Sequence, residues 1–135
     1  MIMTPTKILD SYALIAFLED EPGADFVRGL LLDAEDGILK LMMTVVNLGE
    51  VWYSIARADS PKVADRLTQE FQSMAIEVFE ADWPLTRQAA KFKARGGASY
   101  ADCFAAALAK IYGGEVITGD KEFKVFEDEI DISWL

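Results

Sequence analysis

Short apolar runs alternate along the chain with longer stretches in which apolar residues return every third or fourth position. Lys7-Ile8-Leu9 predicts a first strand ending at Asp10, and residues 11–18 follow as a helix. Pro22 opens a second helix that carries Phe26, Val27, Leu30 and Leu31 at helical spacing. Residues 38–43 read as a second strand, after which Thr44 occupies an N-cap position for a helix reaching about Ala58. Ser60-Pro61 starts another helix, to about Met74. Residues 76–79 form a third strand, and Asp82-Trp83-Pro84 begins a helix that stops at Gly96-Gly97. Ser99 then opens an alanine-rich helix stopping at Gly113-Gly114. Residues 115–118 and 130–134 supply a fourth and a fifth strand.

Strand-helix alternation of this kind predicts an α/β fold of three layers, α/β/α, around a central, mostly parallel sheet of four or five strands. A chain of 135 residues suits a single domain spanning 1–135, able to bury about two-thirds of the surface it exposes unfolded. No linker, repeat or low-complexity segment divides it. Residues 1–6 are short and polar, unlike a secretory leader, and no apolar stretch approaches the ~18 residues of a membrane span. These features lead us to expect a cytoplasmic protein.

Composition narrows the chemistry. The chain has no histidine, so Ser-His-Asp or Cys-His nucleophiles and histidine-bound zinc are excluded. One cysteine excludes an internal disulfide and a cysteine-cluster metal site. The net charge of -10 argues against a protein that coats nucleic acid by bulk charge. That charge is uneven. Residues 1–56 carry -6, residues 57–124 balance ten acids against ten bases, and residues 125–135 carry -4. Between Asp82 and Asp102 lie Arg87, Lys91, Lys93 and Arg95 with no acid among them. This segment is either a solvated helix face or a patch that steers phosphates.

In open parallel sheets the functional crevice lies beyond the carboxyl ends of the strands. Asp10 follows strand one, and Asp120 follows strand four in Thr118-Gly119-Asp120, where the glycine allows a sharp exit. Glu50 falls in the second turn of the helix after strand two, and Asp102 in the first turn of the helix opened by Ser99. All four acids therefore gather at one edge. Each also has a plainer role available: Asp10 as an N-cap, Asp102 in a capping box with Ser99, Glu50 as an exposed helix residue, Asp120 as a turn residue. The apolar neighbours of Asp102 (Ala101, Cys103, Phe104) and of Glu50 (Leu48, Val51, Trp52) favour a partner or a metal. Cys103 itself reads as a small buried residue, since no base is at hand to activate it.

These acids lie in four segments that together resemble a known family. Residues 9–18 with Glu21-Pro22-Gly23, residues 44–51 ending Gly49-Glu50-Val51, residues 99–107 around Asp102, and residues 118–123 around Asp120 resemble, in order, the motifs of PIN-domain toxins of the VapC type. Lys121 stands where that family more often has proline, and Tyr12 where the wider family often has a small polar residue.

The resemblance implies a magnesium- or manganese-dependent endoribonuclease that leaves a 5′-phosphate and a 3′-hydroxyl. Asp10 and Asp102 are implied as primary ligands of one or two Mg2+ or Mn2+ ions, with Glu50 and Asp120 completing the cluster. Carboxylates are the right donors for such hard cations. Lys91, Lys93, Arg95 and Thr118 are the expected RNA contacts. The resemblance further implies a homodimer and a VapB-type antitoxin, with Tyr12, Phe17 and Trp52 available for interfaces. The rival from another class is a non-catalytic PIN-like scaffold binding RNA or protein. A phosphotransfer receiver domain fits less well, lacking paired acids after strand one and a lysine after the last strand.

Overall fold

Among the described residues five short runs form strands: β1 (Thr6–Leu9), β2 (Lys40–Thr44), β3 (Glu77–Phe79), β4 (Glu115–Thr118) and β5 (Asp131–Trp134). The structure is a computed structural model describing residues 4–135. The strands make one sheet in the order β3-β2-β1-β4-β5, and every neighbouring pair is parallel. The expectation of a mostly parallel sheet of four or five strands thus resolves to five, all parallel.

Side chains alternate across a strand, so each run feeds two cores. Ile8, Met42 and Val116 point to one face, where they meet α5 (Trp83–Arg95) and α6 (Tyr100–Tyr112) through Leu85, Phe92, Phe104 and Leu108. Leu9, Leu41, Met43 and Ile117 point to the other. There they meet α1 (Ser11–Leu18), α2 (Ala24–Glu35), α3 (Val45–Ala58) and α4 (Pro61–Gln72) through Leu14, Val27, Ile55 and Phe71. The three-layer prediction is met. Continuous apolar strands are what a parallel sheet covered on both faces requires.

Local signals set most helix starts. The side chains of Asp10, Thr44, Ser60, Asp82 and Ser99 each accept a hydrogen bond from the backbone N–H three residues on. Some boundaries move by one or two residues. α2 starts at Ala24 rather than Pro22, because Gly23 takes a left-handed φ of 99° and serves as the cap. β2 starts at Lys40 rather than residue 38. The Ile38 N–H donates to the Asp33 carbonyl and closes α2, while the Lys40 N–H is the one that reaches Pro5. β3 and β5 begin one residue late, and α4 ends at Gln72, where Ser73 caps it.

Residues 121–129 carry no repeating pattern, yet Lys121–Phe126 forms a 3-10 helix. Phe123 and Phe126, three residues apart, share one face of it and bury against Phe92. This segment returns the chain from β4 to the start of β5.

The strand order places a reversal at the centre. From β1 the chain runs outward through β2 to β3, then crosses by α5 and α6 to β4 on the other side. The crevice of such a sheet opens beyond the carboxyl ends of the two strands at the reversal, here β1 and β4.

Candidate active site

Asp10 sits in that crevice, 1% exposed. Its Oδ1 accepts from the Ala13 N–H at 2.9 Å, and its Oδ2 accepts from the Thr118 hydroxyl across the β1-β4 boundary. The N-cap role is therefore real, and it uses only one oxygen. Burial pushes the Asp10 carboxyl up from 3.8 to about 7, against the two hydrogen bonds, while Asp120 and Glu50 add repulsion.

Asp102 is held by α6 and is 4% exposed. The capping box is half made. Ser99 Oγ accepts from the Asp102 N–H at 3.1 Å, but the Ser99 N–H donates to Glu122 Oε1 at 3.2 Å and not to Asp102. The Asp102 carboxylate is thereby left free of the helix. Its Oδ2 is buried with no hydrogen-bond partner among the described residues. Burial first, then the adjoining Asp120 carboxylate, then Asp10 and Glu122 all hold its carboxyl above the usual range. Oxygens of Asp102, Asp120 and Glu122 lie within 4.8 Å of one another. Glu122 is an addition to the residues expected from sequence. Its signal was its place two residues after Asp120, on the first turn of the 3-10 helix.

Glu50 is half-buried on α3 and oriented from three sides. Its Oε1 accepts from Ser11 Oγ at 2.9 Å and from Asn47 Nδ2 at 3.4 Å, and its Oε2 accepts from Tyr53 at 3.5 Å. All four expected acids thus reach the same edge. Asp10 feels both Asp120 and Glu50, and Asp102 feels Asp120 and Asp10, while the group with oxygens within 4.8 Å of one another is Asp102, Asp120 and Glu122. Two carboxylates ~5 Å apart repel by about 3 kcal/mol at an effective dielectric of ~20. Carboxylate oxygens crowded this closely, one of them buried and unpartnered, are a donor set suited to a hard divalent cation.

The PIN-domain sequence profile matches residues 7–129. The chain belongs to the PIN-domain family. Ribonuclease VapC of Mycolicibacterium smegmatis is 28% identical over 124 residues, covering 87% of this chain and 94% of that protein. The fold matches VapBC2 from Rickettsia felis bound to a DNA fragment from its promoter with a TM-score of 0.74 at 14% identity, covering 96% and 98% of the two chains. It matches DNA-bound VapBC from Salmonella typhimurium with a TM-score of 0.73 at 23% identity, covering 97% and 98%. The fold is PIN-like, and the resemblance drawn from the four motifs extends to proteins of the VapC kind.

Two polar residues support the acids of this PIN domain from within. Thr118 is fully buried, with its hydroxyl donating to Asp10 and accepting from the Asp120 N–H at 2.9 Å. It was expected among RNA contacts; with no exposed surface it positions two acids instead. Asn47, also fully buried, accepts from Thr44 Oγ1 at 2.5 Å and donates to the Ala101 carbonyl at 3.1 Å. It ties α3, which carries Glu50, to the start of α6, which carries Asp102. Sequence reading missed it, since an asparagine in the first turn of a helix normally signals only local capping.

The basic segment is partly committed elsewhere. Arg95 pairs with Glu129 at 2.8 Å and lies over the Phe92 ring. Lys93 Nζ donates to the Ala98 carbonyl at 2.9 Å, next to the entry of α6. Arg87 and Lys91 are exposed and make no ion pair among the described residues. Cys103 is 1% exposed, and burial pushes its thiol up, which disfavours the reactive thiolate.

Proposed function

We propose that this PIN domain is a Mg2+- or Mn2+-dependent endoribonuclease, the toxin of a toxin-antitoxin pair of the VapBC kind. The observation that carries the reading is the buried Asp102 carboxylate, whose Oδ2 has no partner among the described residues and which has an oxygen within 4.8 Å of oxygens of Asp120 and Glu122. Asp102, Asp120, Asp10 and Glu50 would hold the cation, with Glu122 at the rim. When bound, one or two such ions supply Lewis-acid activation of water and of the phosphodiester. The protein's own part is placement. Thr118 and the Ala13 N–H orient Asp10, Ser11 and Asn47 orient Glu50, and Asn47 fixes α3 against α6. Without histidine, no imidazole is available to move a proton near the scissile phosphate.

Similarity to VapBC complexes supports a VapB-type antitoxin as partner, and we place a homodimer and cytoplasmic action in the same reading. No helix among the described residues is long and apolar enough to cross a membrane.

The deciding measurement is cleavage of total cellular RNA by the purified chain with Mg2+ or Mn2+, blocked by EDTA, with 5′-phosphate ends on the products. Induced expression should arrest growth. Metal-replete protein that binds RNA and leaves it intact would favour the scaffold reading instead.

We also propose that Lys91 and Lys93 guide RNA phosphates toward the site. Replacing both by glutamine should flatten the salt dependence of RNA binding by about 1.4 in log-log slope, given about 0.7 per phosphate contact on single strands. An unchanged slope would leave the segment as a solvated helix face.

A further inference from the structure

Tyr12 stands two residues after Asp10 on α1 and is 47% exposed. Its ring lies against Gly119, the residue between Thr118 and Asp120. A Cβ at Gly119 would come within 2.3 Å of Tyr12 Cε1 and 2.6 Å of Cζ. Gly119 is not among the glycines with positive φ, so the sharp exit expected from sequence does not account for it. The ring does. Tyr12 therefore lies against the backbone that joins Thr118, the partner of Asp10, to Asp120.

Tyr12 also lines a cleft of about 310 Å3 together with Ile15, Ala16, Glu21 and Pro22. That volume falls at the lower end of the small-ligand range, about 300–1,000 Å3. The charge around it selects the kind of ligand. The residues lining it carry one charge, that of Glu21, and no base, so a phosphate finds no cation there. A neutral, flat π-system needs none, and an exposed tyrosine ring is a ready surface for such a system.

We infer that Tyr12 is a stacking platform for a nucleobase of the RNA strand beside the scissile phosphate. This rests on the ribonuclease reading for its substrate, and on the Tyr12–Gly119 contact for its place. Tyr12 touches substrate without taking part in bond breaking, so its loss should appear in KM and not in kcat.

The test uses the full-length chain and short single-stranded RNAs carrying 2-aminopurine at successive positions. Binding to the wild type should quench the fluorophore at one position by stacking. Tyr12→Phe should retain that quench, and Tyr12→Leu should lose it and raise KM about tenfold with kcat nearly unchanged. Gly119→Ala should reproduce the Tyr12→Leu effect by displacing the ring, and should add nothing in the Tyr12→Leu background. Thermal melts of each variant separate stacking from misfolding. An unaltered KM and quench in Tyr12→Leu would overturn the inference. So would a change in oligomeric mass that accounts for the KM, because the ring would then belong to an interface between copies. If the wild type cleaves no RNA but shows Tyr12-dependent quenching, the stacking role stands and the ribonuclease reading falls.

Discussion

Asp102→Asn is expected to abolish RNA cleavage and, in the metal-free protein, to raise the melting temperature. The two effects share one cause. The Asp102 carboxyl is 4% exposed, has one oxygen without a partner, and shares its space with oxygens of Asp120 and Glu122 within 4.8 Å. Each such pair costs about 3 kcal/mol at an effective dielectric of ~20, whether as repulsion or as the work of keeping a proton on. Asparagine keeps the shape, removes the charge and offers an amide N–H to Asp120. Gains on the order of 1–2 kcal/mol correspond to about 5 °C for a domain of this size. Cleavage should fall at least about a thousandfold, since on the proposed reading the lost oxygen would be both a cation ligand and a share of the charge that neutralises the ion. Calorimetry on metal-free protein and RNA gel assays would check the pair. A destabilised Asp102→Asn would mean the carboxylate is structurally satisfied, and the case for a cation site would weaken with it.

The second large effect concerns pH. Asp10 holds its proton to about 7 in the folded chain and to 3.8 when unfolded, with burial as the leading cause. Between those values the folded state keeps a proton that the unfolded state releases. The Asp10 contribution to the stability of the metal-free protein should therefore be full below about pH 4, fall as pH rises toward 7, and be lost above it. At 1.36 kcal/mol per pH unit the single group spans on the order of 4 kcal/mol. Asp102, raised for the same reason, adds in the same direction. A divalent cation reverses the preference by favouring the ionised carboxylates, so millimolar Mg2+ or Mn2+ should raise the melting temperature far more at pH 8 than at pH 5. Asp10→Asn should flatten the metal-free pH profile and blunt the metal-dependent shift. Equal metal shifts at both pH values in the wild type would contradict this account.

Both effects depend on acids whose local roles were legible and whose joint role was not. That Asp10, Thr44, Ser60, Asp82 and Ser99 cap helices follows from residue type and a reach of three positions, and the structure keeps all five. The half-made capping box at Ser99 shows where local reasoning stops. Glu122, 23 residues away, takes the Ser99 N–H and leaves the Asp102 carboxylate to the crevice. Arg95 was legible as a cation, but its pairing with Glu129 depends on how the 3-10 helix lies against α5. Gly119 was legible as a special position, and packing adds a reason that the sequence alone did not offer. A glycine suggests a φ requirement, and only the packed structure shows that an aromatic ring occupies the space instead.

The sequence by itself determined the alternation of strands and helices, the two-faced strands, the helix caps and the exclusion of histidine and cysteine chemistry. Each of these depends on a residue and its near neighbours, or on composition alone. The four acids could be assigned to one edge because every strand of a parallel sheet ends there. Tertiary structure alone decided the order β3-β2-β1-β4-β5, which puts β1 beside β4 and so brings Asp10 to Thr118, 108 residues apart. It also decided which carboxylates lose their water. Desolvation and mutual repulsion are properties of the packed crevice, and they hold the Asp10 and Asp102 carboxyls above the usual range.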